Sequence, residues 1–213
     1  MINSFKLIAA AVVLGICAVS MSGVMAQQTP VTSLRVVRIQ GDFAMALANL
    51  GNTFGVTVGL ELDTQRYHQV SLSLEDANVT DVMNGIVQSS KKFQCRQTSE
   101  FIDVWPSTGS NPLLETKINS FNVKDVSPSE ALDQLLNLPE VQANMTTLNL
   151  KRRSTDGARD VSLEKLSSPR FSLSLEGVTL REALNRIAQE SHLGIWIFRN
   201  YPNGFFSISS LER

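Results

Sequence analysis

Residues 70–75, Val-Ser-Leu-Ser-Leu-Glu (VSLSLE), return as Phe-Ser-Leu-Ser-Leu-Glu (FSLSLE) at residues 171–176. The pattern that follows each copy is repeated without a gap at the same offset of 101 residues. Three polar positions recur in it: Asn84, Gln88 and Ser90 as Asn185, Gln189 and Ser191. An ungapped repeat that preserves apolar spacing indicates one supersecondary unit used twice. We therefore expect two tandem modules built on the same fold.

The composition of the chain is that of an ordinary globular protein. It has 213 residues, of which 43% are apolar and 18% are charged, and its formal net charge is -1 at pH 7. This length and apolar content are enough for one or two small cores. A net charge so near zero argues against an electrostatic nucleic-acid binder, so no nucleic-acid partner is expected.

The first 26 residues read as a secretory signal peptide. Lys6 is the only charge among them, residues 7–18 are almost unbroken apolar, and cleavage is expected after Ala26. A retained membrane anchor is the alternative, although the apolar run is short for a span of ~20 residues. Cleavage leaves one cysteine, Cys95, which cannot form an internal disulfide. We expect an exported, periplasmic protein with no membrane span after cleavage.

The first module is expected over residues 34–105, after a flexible leader at residues 27–33. A β-branched strand opens it, and Asp42 and Asn78 stand where the N-caps of two helices are expected. Residues 61–69 are polar and are expected to form a loop between two strands. The module closes with a short hairpin.

A linker is expected at residues 106–115, where proline, glycine and serine cluster, and the second module at residues 116–213. The segment Ser127–Glu130 predicts a capping box at the start of a helix, and a strand is expected at residues 145–150. The second module also carries a charged insertion at residues 151–168, which lacks a consistent period and is expected to be a long loop.

Both modules thus read as β-α-β-β-α-β-β, an α+β fold in which two helices pack on small mixed or antiparallel sheets. The strand FSLSLEGVT (residues 171–179) and the helix LREALNRI (residues 180–187) resemble the short amino-terminal domain shared by secretins and TonB-dependent receptors, the STN domain. The resemblance implies two tandem copies of this domain, and the sequence departs from the family because neither a secretin core nor a barrel domain is expected beside them. It also implies a periplasmic protein-interaction module that contacts an outer-membrane secretin, a receptor or its regulator.

No catalytic, phosphate-binding or dinucleotide-binding motif is present, so we expect neither an enzyme nor a cofactor. His68 and His192 have no second histidine or cysteine at helical spacing, and metal sites need three or four converging ligands. Cys95 aligns with Trp196 and is expected to face a core. An exported hydrolase with an unrecognised site is a further alternative, but the serines of the repeated strands have no neighbouring base.

Two segments are candidates for contact with a partner protein. The charged insertion is one, because long loops in compact domains are often functional, and a solvated loop is its alternative. The other is the closing strand at residues 204–209, which has few charges to protect its edge from pairing, unless the fold itself covers its phenylalanines. The residues proposed for partner contact are Lys151, Arg152, Arg153, Arg159, Phe205 and Phe206. A self-assembling envelope protein, a homo-oligomer of stacked modules, is the alternative function.

Overall fold

The computed structural model of the protein describes residues 36–63, 69–153 and 169–212. All of these residues belong to one compact unit. No helix among them is both long and apolar enough to cross a membrane. Several predictions lie outside the described residues: the signal peptide, the leader, His68, Arg159 and most of the charged insertion.

The first half of the described chain has the predicted order of helices and strands. Its elements are β1 (Val36–Asp42), α1 (Phe43–Phe54), β2 (Thr57–Asp63), β3 (Gln69–Glu75), α2 (Val79–Ser90), β4 (Phe93–Gln97) and β5 (Phe101–Pro106). The expected loop at residues 61–69 is wrong at its start, because β2 continues to Asp63 and buries Glu61 and Leu62. A glutamate is usually exposed, but the one at position 61 has a buried arginine as its partner.

The second half contains one α-helix more than predicted. It begins with a 3-10 helix (Pro112–Glu115) and continues through β6 (Lys117–Val126), α3 (Pro128–Leu136), α4 (Pro139–Thr147), β7 (Lys151–Arg152), β8 (Phe171–Thr179), α5 (Leu180–Glu190), β9 (Leu193–Tyr201) and β10 (Phe205–Glu212). The strand expected at residues 145–150 is wrong, because α4 continues through residue 147 and the strand, β7, forms only at Lys151–Arg152. Pro139 occupies the first turn of α4, where its missing N–H costs nothing, and Val141 and Met145 are buried on one face of the helix.

The local signals that start and stop the helices are confirmed. Asp42, Asn78, Ser127 and Thr179 each accept a hydrogen bond from the backbone N–H three residues on, which satisfies a donor at the helix N-terminus. Gly55 ends α1 in the left-handed conformation with φ 69°, which glycine adopts without a Cβ clash. These short-range interactions are those that sequence determines most directly.

The described strands form three sheets, and the largest one joins the two halves. Two sheets are antiparallel pairs, β1 with β3 and β6 with β8, and the third has six strands in the order β4-β5-β2-β9-β10-β7. The halves meet where β2 pairs in parallel with β9, in a register that runs from Val58 opposite Ile195 to Asp63 opposite Asn200. The α+β class is confirmed.

The helices of the two halves lie on opposite faces of the shared sheet. Ile195 and Ile197 of β9 pack with the core under α1 and α2, whereas Trp196 and Phe198 pack with the core under α3 and α5. Successive side chains of a strand point to opposite faces, so a single strand supplies both cores. The segment predicted as the linker also packs against the second half. Leu113 and Leu114 belong to the second core, and the backbone N–H of Asn111 donates to Glu61.

The two halves are related by a symmetry operation that includes a translation across the sheet. The order β4-β5-β2 is repeated as β9-β10-β7, with β4 and β9 both following the helix of the repeated segment. Strand β4 is antiparallel to β5, whereas β5, β2 and β9 run parallel, so β4 and β9 run in opposite directions. The sheet face covered by helices is also reversed. The relation is therefore a twofold screw running across the strands, which does not close on itself.

Candidate protein-interaction site

A buried ion pair lies where the two halves meet. Nη2 of Arg181 is 3.0 Å from Oε2 of Glu61, and the side chains are 4% and 5% exposed. Arg181 stands in the first turn of α5, which Thr179 caps, and Glu61 stands in the part of β2 that pairs with β9. Nη2 of Arg181 also donates to Oγ of Ser110 at 2.6 Å. The cluster thus joins α5, β2 and the connecting segment.

The cluster is buried, and its polar groups are only partly satisfied. Burial raises the pKa of Glu61, although the backbone N–H of Asn111, the Arg181 guanidinium and the Ser110 hydroxyl all oppose that shift. Among the described residues, Nη1 of Arg181 has no hydrogen-bond partner. The guanidinium carbon lies 5.8 Å from the centre of the Trp105 ring, which is within reach of a cation–π interaction. The cluster therefore holds the two halves in position.

A second buried polar cluster lies beside the first on the same face of the sheet. Nδ2 of Asn185 donates to Oδ1 of Asp103 at 3.0 Å, and Nε1 of Trp196 donates to Oδ1 of Asn185 at 2.6 Å. A Cβ atom added at Gly59 would lie 2.6 Å from a carbon of the Trp196 ring. Position 59 must therefore be glycine for the indole to lie across β2.

The first half contains the counterpart of this junction, and there it is open. The repeat offset aligns three positions of α5 and β9 with three of α2 and β4: Arg181 with Thr80, Asn185 with Asn84, and Trp196 with Cys95. The three residues of the second half are buried. Thr80 and Asn84 are exposed, Cys95 is half-buried, and no other described strand pairs with the outer side of β4. Burial raises the pKa of the Cys95 thiol.

Strand β4 presents unpaired backbone groups along this open side. The N–H of Thr98 donates to the carbonyl of Phe101, and the N–H of Ser107 donates to the carbonyl of Lys92. The backbone N–H and C=O groups of the even-numbered residues of β4 therefore point toward β5. Backbone groups alternate between the two sides of a strand. The N–H and C=O groups of Phe93, Cys95 and Gln97 therefore point away from the sheet. Such an edge is a template for pairing with another strand.

The closing strand is less accessible than its sequence suggested. Phe206 is 0% exposed and its ring stacks on that of Phe198 at 5.3 Å, so the fold itself covers this side chain, and its contact with a partner stays a prediction. Phe205 is 40% exposed. Strand β7 pairs with β10 at these two phenylalanines and covers that part of the edge. The alternation of the strand turns one phenylalanine inward and leaves the other accessible.

The described basic residues of the insertion lie around β7, at the end of the sheet opposite β4. Lys151 and Arg152 form β7, and Nη1 of Arg152 is 2.6 Å from Oδ1 of Asp133. The N–H of Arg153 donates to the carbonyl of Phe206, and its guanidinium carbon lies 5.2 Å from the centre of the Tyr201 ring. These residues do not join the junction clusters or the β4 edge. Arg159 lies outside the described residues.

Sequence reasoning did not identify Glu61, Arg181 or the β4 edge as important. A signal was present, since the copies differ at aligned positions: threonine stands opposite arginine and cysteine opposite tryptophan. Among the described residues, no group of three histidine, cysteine, aspartate or glutamate side chains is placed to hold a metal ion. Comparisons of the chain with protein-family models, curated proteins and solved structures found no match.

Proposed function

We propose that this protein is an exported, periplasmic protein-interaction module whose partner is an outer-membrane secretin, a receptor or its regulator. One observation carries the proposal. The edge of β9 is occupied by a parallel strand, whereas the equivalent edge of β4 leaves the backbone groups of Phe93, Cys95 and Gln97 unpaired. Strand addition at such an edge is a common mode of peptide recognition.

The buried junction supports this proposal, because it joins the half that carries the open edge to the other half through shared packing. Strand β9 contributes side chains to both cores, and the ion pair between Arg181 and Glu61 spans the junction. A preorganised surface loses less conformational entropy when it binds a partner. The two halves thus act together as one platform.

Affinity capture tests the proposed function. The intact, tagged protein is crosslinked in envelope extracts, and the captured proteins are identified by mass spectrometry. We expect a secretin, a receptor or a regulator of one of them. A matched variant with Lys151→Ala and Arg153→Ala reports whether the basic residues near β7 contribute. Recovery of no such component, in extracts where the tagged protein itself is folded, would count against the proposal.

Self-assembly is the second candidate function, and the twofold screw favours it. Repeating the same operation would place β7 of one chain beside β4 of the next and continue the sheet without closing. Sedimentation velocity at increasing protein concentration tests this arrangement. A sedimentation coefficient that rises with concentration supports it, and a monomer at every concentration rules it out.

A further inference from the structure

We propose that the edge of β4 accepts a single extended strand of a partner protein, parallel to β4, with a large apolar side chain beside Cys95. This inference rests on the proposed function and specifies the surface that carries it. The parallel orientation follows from the internal junction, where β2 runs parallel to β9, the strand equivalent to β4.

The preference for a large side chain follows from the sizes of the side chains at the two edges. The residue on β9 is large and its neighbour on the docked strand is small, whereas the residue on β4 is small. In the occupied edge, the docked strand has Gly59 directly beside Trp196, whose ring fills the space that a side chain would need. In the open edge, Cys95 stands in the position of Trp196, and its side chain is too small to fill the space that the indole takes. A close-packed interface requires the docked strand to fill it, since voids forfeit dispersion contacts.

The same comparison predicts the next residue of the docked strand on that face. Glu61 follows Gly59 by two residues, points to the same face and meets Arg181 of α5. Thr80 of α2 replaces Arg181 at the open edge, and its hydroxyl donates to Oε1 of Gln97 at 2.9 Å. A glutamate is therefore not required at this position, and a small polar residue fits beside the hydroxyl.

The other face of β4 argues against a second copy of this chain as the occupant. Ile195 and Ile197 of β9 are buried under the helices of the first half, whereas their counterparts Gln94 and Arg96 are polar and exposed. The Arg96 side chain is 58% exposed. A second copy docked by the same screw would bury these polar groups beneath a helix. A single strand leaves them in water.

The charges near β4 also favour a single partner strand over a second copy of this chain, and they predict the charge of that strand. Lys91 and Lys92 precede β4 and are exposed, and Lys151 and Arg152 of β7 would meet this end of the sheet in a second copy. Like charges placed together oppose that contact. A strand parallel to β4 places its N-terminal end near Lys91 and Lys92. The partner strand is thus expected to carry acidic residues at its N-terminal end.

Binding of designed peptides to the intact protein tests the inference. The first peptide has the sequence of β2 and the residue before it, VTVGLELD (residues 56–63), preceded by Asp-Glu. The second is identical except for phenylalanine at the position of Gly59. Fluorescence anisotropy of the labelled peptides measures their dissociation constants. We expect the phenylalanine peptide to bind at least tenfold more tightly, and replacement of its Asp-Glu by Lys-Lys to weaken binding.

Two controls assign the binding to the β4 edge. Cys95→Trp should reverse the preference, so that the glycine peptide binds more tightly, whereas Cys95→Ala should keep the original preference. Methylation of the peptide amide nitrogens should abolish binding for one alternating set of residues and leave it within twofold for the other. Thermal unfolding of both variants establishes that they are folded. If Cys95→Trp does not fold, the alternating methylation decides.

Three outcomes of the peptide measurements would each overturn the inference: equal affinity for the two peptides, no dependence on the alternation of methyl groups, or no binding. If the peptides fail but affinity capture still recovers the expected partners, the β4 inference is wrong and the proposed function stands. If neither experiment succeeds, both are wrong. A dimer that the peptide dissociates would identify a second copy as the occupant and would also overturn the inference.

Discussion

Nη2 of Arg181 lies 3.0 Å from Oε2 of Glu61, and the two residues are 120 positions apart in the chain. Each belongs to a different repeat, so the ion pair exists only when the repeats are correctly joined. A buried ion pair is weak evidence for stability, and registry is its best-attested role. In this protein the pair fixes the position of α5, in the second half, relative to β2, in the first half.

Removal of one partner of this pair should be strongly destabilising. Arg181→Met leaves Glu61 buried without its counterion, and we expect a loss of about 3–5 kcal/mol in the free energy of unfolding. Urea denaturation followed by circular dichroism measures it. The double variant Arg181→Met with Glu61→Gln removes both charges and keeps a carbonyl acceptor for Asn111, so it should recover much of the loss. A double variant less stable than Arg181→Met would contradict this account.

Gly59→Ala should destabilise the protein because its Cβ atom would lie 2.6 Å from the Trp196 ring. We expect a loss of about 1–3 kcal/mol, the usual range for an overpacked core. Gly85→Ala is the matched control, since its nearest contacts are the flexible tip of Leu72 at 3.0 Å. It also replaces glycine within a helix, which favours helix formation by roughly 1 kcal/mol. Equal losses in the two variants would show that the indole does not constrain position 59.

Heating should unfold both halves in a single transition. Strand β9 supplies side chains to both cores, so neither core survives once this strand separates from β2. Differential scanning calorimetry should show one peak, with equal calorimetric and van't Hoff enthalpies. Tryptophan fluorescence and far-ultraviolet circular dichroism should give the same midpoint. Two resolved peaks would mean that the repeats fold separately.

The capping box at the start of α3 should contribute a pH-dependent part of the stability. The backbone N–H of Ser127 donates to Glu130 at 2.7 Å and lowers the pKa of that carboxyl below its usual 4.5. A lowered pKa in the folded state means that the contribution is present above pH 4.5 and is lost as pH falls through the folded pKa. The difference in unfolding free energy between the wild type and Glu130→Gln should therefore shrink in acid.

The control for this effect is Glu190→Gln, which removes an exposed charge at the end of α5. Urea titrations of the wild type and both variants between pH 7 and pH 3 give the comparison. A difference between the wild type and Glu130→Gln that grows as pH falls would contradict the lowered pKa.

The sequence alone determined most of the elements of both repeats. Val70, Leu72 and Leu74 alternate with serines and predict a strand with one buried face, and Asp42, Asn78 and Thr179 predict helix starts that the structure confirms. These features depend on residues within a few positions of each other. Helix α4, which was not predicted, shows the limit of such signals. Pro139 was interpreted only as the end of α3, but it is also the first residue of the next helix.

Only the tertiary structure decided how the repeats are joined and which polar residues are buried. The parallel pairing of β2 with β9 brings together residues far apart in the chain, and no local period encodes it. Glu61 and Arg181 look like solvent-facing residues by themselves, because a charge is stable in water and costly to bury alone. Each becomes a core residue only when the fold supplies the other. The open edge of β4 was equally hidden, since an edge is defined by the strand that does not pair with it.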